Sequence, residues 1–348
     1  MANQEQLIYD LSLEALEIKL AEIQQPAYRA KQIWHGIYQS LISNSHQIST
    51  LPKPLRETLD DIFTFQALEP VRVIESRDGR TIKTLFKLRD RHFIEAVLMH
   101  YEDRHTLCIS SQSGCGIGCS FCATGQMGFK RNLTSGEIIE QVLYYARLLA
   151  DREQSVTNVV MMGMGEPFQN YENVMDSLNR LNNPEGFGLG ARRFTISTVG
   201  LIPKIRQFAD EGTQYNLAIS LHTVNDELRS KLIPINKKYP VKQLVDACRY
   251  YVDQTSRRVT FEYALIQGLN DANEDAIALA EMIRGMICHV NLIPLNPTEG
   301  YDQNPTSADQ VESFRAILES RNIPCTVRVR RGIEIQAGCG QLAAEYQS

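Results

Sequence analysis

Gly114-Cys115-Gly116-Ile117-Gly118-Cys119-Ser120-Phe121-Cys122 puts three thiols into eight residues, with the spacing Cys-x3-Cys-x2-Cys. Three thiolates on so short a loop can converge on one centre but leave it a protein ligand short. A structural zinc site takes four protein ligands, and a [4Fe–4S] cluster also takes four, usually all Cys. The loop therefore points to a cluster with one iron left open, and an open coordination position is where chemistry takes place. Zinc completed by a distant Cys or His is the alternative. Three bare thiols so close together would be prone to oxidation. The glycines let the backbone wrap an inorganic core, and Phe121 is placed to shield it or to touch a bound cofactor.

Downstream of this loop the pattern alternates between strands and helices. Thr134-Ser135-Gly136-Glu137 is a capping box that opens a helix reaching Ala150. Strands are expected at 156–162, 193–198, 215–221, 258–265 and 288–293. Helices are expected near 171–182, 201–211, 240–254, 273–285 and 307–320, before a last strand Cys325 to Arg330. Counted from the strand Thr106–Ser110, this gives six main βα units, fewer than the eight of a closed barrel. The fold class is α/β, a partial, open (β/α)6 barrel.

Upstream, residues 8 to 66 read as a small helical module carrying the only Trp, Trp34, which is read as core. Residues 71–98 read as strands around the Asp78-Gly79 turn. The division expected is 1–68 helical, 69–103 β extension, 104–332 barrel and 333–348 C-terminal loop.

The 348 residues carry a net charge of −5, with 43% apolar and 22% charged residues, the composition of a soluble globular protein. No run approaches a membrane span. The start, Met1-Ala2-Asn3-Gln4-Glu5-Gln6, lacks the basic and apolar regions of a signal peptide. Eight Cys, three of them clustered, suit a reducing, cytoplasmic compartment. Global charge neither supports nor excludes a nucleic-acid partner.

In parallel βα arrays ligands gather at the carboxyl ends of strands. There the chain offers Met162-Gly163-Met164-Gly165-Glu166-Pro167, Ser197-Thr198, Ser220-Leu221-His222 and Leu295-Asn296-Pro297. Any one of these is ordinarily a cap or turn, but four at one rim suggest a cofactor site. Glu95 reads from pattern alone as a solvent-facing strand residue, and Cys108 as a buried, inert thiol. Cys339, in Gln336-Ala337-Gly338-Cys339-Gly340-Gln341, has glycine on both sides, which suits a thiol that must move or react. Cys248, Cys288 and Cys325 read as core. Basic residues at Lys130-Arg131, Arg192-Arg193, Arg257-Arg258 and Arg328, Arg330 and Arg331 would suit phosphates, or simply a solvated face.

Together these motifs resemble the radical SAM superfamily and, over nearly the whole length, its RlmN/Cfr family of RNA methyltransferases, the RlmN branch above all. The resemblance implies one [4Fe–4S] cluster per subunit on Cys115, Cys119 and Cys122, with two S-adenosylmethionine (SAM) molecules used per turnover. SAM would be bound by Gly165, Glu166, Ser197, Ser220, Leu221, His222 and Asn296. It implies methylation of C2 of an adenosine in 23S rRNA and of adenosine 37 in tRNA. Cys339 would be methylated first, a deoxyadenosyl radical would activate its methyl group, and Cys108 would release the product through a transient disulfide. Glu95 would be the general base. An electron donor such as flavodoxin or ferredoxin and a monomeric state are expected with it. A radical SAM enzyme of small molecules, and a non-catalytic iron–sulfur protein, are the competing readings.

Overall fold

The computed structural model describes residues 6–296, 298–328 and 331–343; Pro297, Arg330 and the first five residues, all read above, lie outside them. A single ten-stranded sheet runs through the molecule. Its strands are β1 Leu68–Glu75, β2 Thr81–Leu88, β3 Phe93–Tyr101, β4 Arg104–Cys108, β5 Asn158–Met161, β6 Phe194–Thr198, β7 Asn216–Ser220, β8 Val259–Leu265, β9 Cys288–Pro294 and β10 Cys325–Val327, laid side by side in chain order. β1 to β4 form an antiparallel meander, and from β4 to β10 every pairing is parallel.

Each parallel strand up to β9 returns through at least one helix: Ser135–Ala150, Tyr171–Asn182, Ile202–Asp210, Val241–Thr255, Asn273–Ile283 and Ala308–Ser320. These are the six βα units expected. The strand ladder keeps two free ends rather than closing, which makes a partial barrel. Strands covered on both faces read as apolar runs, and Val159, Ile196, Leu217, Ile219, Phe261, Val290 and Leu292 are fully buried. The capping box at Thr134 and Glu137 forms with both of its hydrogen bonds.

Some elements beside the site escape the pattern reading. Gln112–Gly114 pairs with Phe129–Asn132, a hairpin too short to show alternation, and it clasps the base of the three-Cys loop. A helix Asp226–Leu232, capped by the Asn225 side chain at Leu228 N, adds a turn after β7. The last strand ends at Val327 instead of reaching Arg330.

The N-terminal module consists of helices Leu13–Glu22, Tyr28–Tyr38 and Lys53–Ile62. Pro54 sits in the first turn of the third, where its missing N–H costs nothing, and Trp34 is buried. Buried charge ties the module to the barrel. Arg180 donates to the carbonyls of Tyr9 and Leu11 and to Ser135 Oγ. Arg147 donates to the carbonyls of Leu41 and Ile42. Glu140 Oε2 accepts from Ala67 N at 2.7 Å and Leu68 N at 3.2 Å.

Burial pushes the Glu140 carboxyl up to about 8, against the pull of those two N–H groups. The folded chain therefore holds this proton more tightly than the unfolded chain. That contribution is complete below the ordinary carboxyl range and is lost as pH rises through 8. Glu140→Gln keeps an oxygen for both N–H groups and should remove the pH dependence. Between pH 5 and 8 the native protein is expected to lose stability relative to the variant by about 1.4 kcal/mol per pH unit. Urea unfolding of both proteins across that range measures the slope.

Candidate active site

The three-Cys loop leaves the sheet after β4. Gly114, at φ +71°, lets the loop close: a Cβ there would lie 1.9 Å from the Gly128 carbonyl oxygen. Cys115 N donates to that same oxygen and Ser120 N to the Leu232 carbonyl. Behind the loop, Ile117 and Cys119 pack on Leu232, Ile233, Ile266 and Leu295. Its inner face lines a cavity of about 160 Å³ that all three cysteines share.

Burial pushes Cys115 up to about 12 and Cys119 well above the ordinary thiol value, and each is raised further by Cys122. Three thiols close enough to repel one another in a desolvated wall need a positive centre before they can ionise. A [4Fe–4S] cluster would supply such a centre, and three cysteines on one wall would leave it one open coordination position.

The other walls of this cavity come from the strand ends. Gly165 and Glu166 follow β5, Ser197 is the last residue but one of β6, Ser220 ends β7, His222 follows it and Asn296 follows β9. Glu166 is buried; its two oxygens accept from Phe168 N and Val199 N, each at 2.9 Å. Burial lifts its carboxyl to about 7, so a cationic ligand would draw it back to the charged form. Ser197 Oγ and Ser220 Oγ lie 3.4 Å apart.

His222 takes a left-handed backbone, φ +61°. Its Nδ1 accepts from Ala264 N at 2.9 Å, and burial depresses the ring to about 3. With Nδ1 accepting, a neutral ring carries its hydrogen on Nε2. Phe121 meets it edge-on, with centroids 5.0 Å apart. The Leu221 side chain is fully buried and does not line the cavity; its N–H donates to the Glu262 carbonyl and its own carbonyl accepts from Arg229 Nε.

Gly165 has φ +103°, and a Cβ there would lie 2.6 Å from Gln112 Cβ. Gly165→Ala is expected to cost more than about 2 kcal/mol through strain and overlap and to weaken SAM binding. Thermal unfolding and equilibrium dialysis with labelled SAM test both.

Cys339 lines the same cavity as the three cysteines, and also a smaller one of about 30 Å³ that it shares with Cys108. The C-terminal segment is held there by Asn296 Nδ2 donating to the Cys339 carbonyl at 3.1 Å and Ala123 N donating to the Gly340 carbonyl at 2.8 Å. Cys108 is buried on β4, and burial pushes its thiol up to about 12. Two cysteines 231 positions apart in the chain (108 and 339) thus face one another's surroundings.

Glu95 corrects its pattern reading, being buried rather than solvent-facing. Lys83 Nζ stands 3.0 Å from its Oε1, and Ala343 N donates to Oε2 at 3.0 Å. It lines a separate cavity with Lys83, Gln336 and Ala343, while Cys339 and Gly340 of the same C-terminal segment line the three-Cys cavity.

The basic clusters also change meaning. Arg131 is held by Glu137 and Asp90, leaving Lys130 exposed. Arg331 lies over the Tyr101 ring and donates to the His100 carbonyl. Arg328 points inward, lining both cavities that hold Cys339. Glu262, unread in the sequence, faces the larger one, with Asn291 Nδ2 donating to Oε2 at 2.8 Å. The available signal was a carboxylate inside the apolar run Val259–Leu265, as Lys83 was inside Thr81–Leu88.

Comparison with known proteins agrees with this geometry. Residues 109–280 match the model of the radical SAM superfamily, and residues 7–64 that of the ribosomal RNA large subunit methyltransferase N-terminal domain. The chain is 45% identical to the "Probable dual-specificity RNA methyltransferase RlmN" of Chloroflexus aurantiacus, over 99% of this chain and 94% of that protein. It is 46% identical to the protein of the same name from Geobacillus kaustophilus, over 97% and 92%. The crystal structure of a radical SAM methyltransferase from Sphaerobacter thermophilus superposes with a TM-score of 0.96 at 51% identity, covering 98% of this chain and all of that one. A three-Cys loop on an open βα barrel, a second thiol pair beside it and similarity along both modules together establish that the chain belongs to the RlmN family of radical SAM methyltransferases.

Proposed function

We propose that this chain methylates C2 of an adenosine in 23S rRNA, and of the adenosine beside the anticodon in tRNA, with Cys339 as the carrier of the methyl group. The observation that carries this reading is the position of Cys339, on the wall shared with the three-Cys loop and on the wall shared with Cys108. A carbon between two ring nitrogens is electrophilic and does not attack a sulfonium, so the methyl must arrive through another atom.

Cys115, Cys119 and Cys122 hold the cluster. Gly165, Glu166, Ser197, Ser220, His222 and Asn296 hold SAM, with Leu221 contributing only by fixing the backbone between Ser220 and His222. Bound together, cluster and SAM supply a carbon radical by one-electron cleavage of the sulfonium. Cys339 presents its S-methyl group to that chemistry and then carries the nucleobase covalently. Glu95 takes the proton from C2, which requires the Ala343 N–H to leave its carboxylate first. Cys108 closes on the Cys339 sulfur and frees the product.

The target base must leave its stack to enter so enclosed a pocket. The helical module and exposed basic residues such as Lys130 hold RNA by phosphate and shape. The division at 68, 103 and 332 separates RNA-holding, connecting, catalytic and methyl-carrying parts. A flavodoxin or ferredoxin supplies the electron, and the enzyme works as a cytoplasmic monomer; among the described residues no helix is long and apolar enough to cross a membrane.

The test is peptide mass mapping after anaerobic cluster reconstitution and incubation with SAM bearing a deuterated methyl group. A labelled or native methyl on the Cys339 peptide, passed on to C2 when RNA is added, is the expected result. A Cys339 peptide carrying neither overturns the carrier role.

A further inference from the structure

Cys108 must become a thiolate to attack a sulfur, yet it lies in a buried strand with nothing basic hydrogen-bonded to it in the described structure. The answer lies across the small cavity. The Arg328 backbone N–H is fixed to the Leu292 carbonyl at 2.8 Å, which aims the side chain at the wall holding Cys108, Cys339 and Met162. Its Nη1 lies 3.9 Å from Met162 Sδ. Among the described residues no carboxylate comes within 4.0 Å of its guanidinium. Its neighbour Arg331 is already committed to the Tyr101 ring and the His100 carbonyl.

We infer that Arg328 is a positioning residue for product release, the cation that brings Cys108 to its thiolate form as it attacks Cys339. The inference rests on the carrier role of Cys339. In the step, Cys108 Sγ gives up its proton and its electron pair forms the S–S bond. The bond between Cys339 Sγ and the methylene carbon breaks. That pair stays on the carbon, which takes up a proton to become the methyl group. The two sulfurs are oxidised to a disulfide, the carbon is reduced, and an external dithiol later restores both thiols.

The electrostatics agree in both directions. Cys339 is the strongest influence raising Arg328 above its ordinary value, with Glu262 and Cys108 adding to it against desolvation. Burial is the main cause that raises Cys108, Cys339 raises it further, and Arg328 pulls it back. Among the described residues the other titratable groups around Cys108 are Tyr101 and Arg331 across the cavity and Tyr145 on the helix behind the sheet. None of these is a free cation.

The experiment compares the native protein with Arg328→Gln and Arg328→Lys. The first readout is alkylation of Cys108 by iodoacetamide against pH, followed by peptide mass in the reduced protein without cluster or RNA. At every pH below the native midpoint the alkylation rate of Cys108 should fall at least about tenfold in Arg328→Gln and return towards native in Arg328→Lys. The second is decay of the RNA–protein adduct on denaturing gels in the reconstituted enzyme. Decay should slow at least about tenfold in Arg328→Gln and recover as pH is raised. A native alkylation profile in Arg328→Gln, or adduct decaying at the native rate, overturns the inference. If the native enzyme forms no adduct at all, the carrier reading fails instead. A fold lost in Arg328→Gln is recognised by its far-UV spectrum, and Arg328→Lys then decides through the same two readouts: a charge-retaining variant with neither thiolate nor adduct decay near native values overturns the inference.

Discussion

Replacing Cys339 by alanine should lower RNA methylation by at least about a thousandfold while the cluster still assembles with its native absorbance. Among the described residues Cys339 carries the one thiol that lines both the three-Cys cavity and the smaller cavity of Cys108, so no neighbouring thiol is placed to take over its methyl group. Cys115, Cys119 and Cys122 would already be cluster ligands, and Cys108 lies beyond Cys339 in the smaller cavity. Alanine removes only Sγ from a half-exposed loop residue, so stability should change little. SAM cleavage to 5′-deoxyadenosine, followed by chromatography, distinguishes loss of the carrier from loss of the radical site. If the variant methylates RNA at more than a few per cent of the native rate, the methyl group takes another route.

Replacing Cys108 by alanine should produce a different failure. In the proposed scheme methyl transfer to Cys339 and attack on the base do not use this thiol, so the reaction should run forward and stop with RNA attached to the protein. Turnover should fall at least about a hundredfold, and a band of protein plus RNA should accumulate to near stoichiometry on denaturing gels. Digestion of that band should leave a nucleotide mass on the Cys339 peptide. The cavity left on β4 is small, a single sulfur, with an expected cost of about 1 kcal/mol. Unattached, unmethylated RNA in the Cys108→Ala reaction would show that Cys108 acts before the base is engaged.

Much of this was legible in the chain because it is local. The spacing of Cys115, Cys119 and Cys122 constrains three thiols to one loop whatever surrounds them. The capping box at Thr134 and Glu137 is satisfied within four residues. Strand and helix periodicity gave six βα units with ends mostly within two residues of those observed. The strand-end polar residues also followed, since a parallel array sends its carboxyl ends to one rim.

The misreadings involve burial or partners distant in sequence. Glu95 looks solvent-facing until β2 supplies Lys83 and the C-terminal segment supplies the Ala343 N–H. Arg328 reads as part of a basic run until β10 turns it inward beside two cysteines.

By itself the sequence determined the three-thiol loop, the open βα barrel and the family. Only the tertiary structure decided that Cys339 lines both the three-Cys cavity and that of Cys108, that Glu95 is covered, and that Arg328 turns inward beside the two thiols. Spacing and periodicity report interactions a few residues long. Charge and thiol chemistry depend on what lies within a few ångströms, and here that neighbourhood is assembled from segments more than two hundred residues apart.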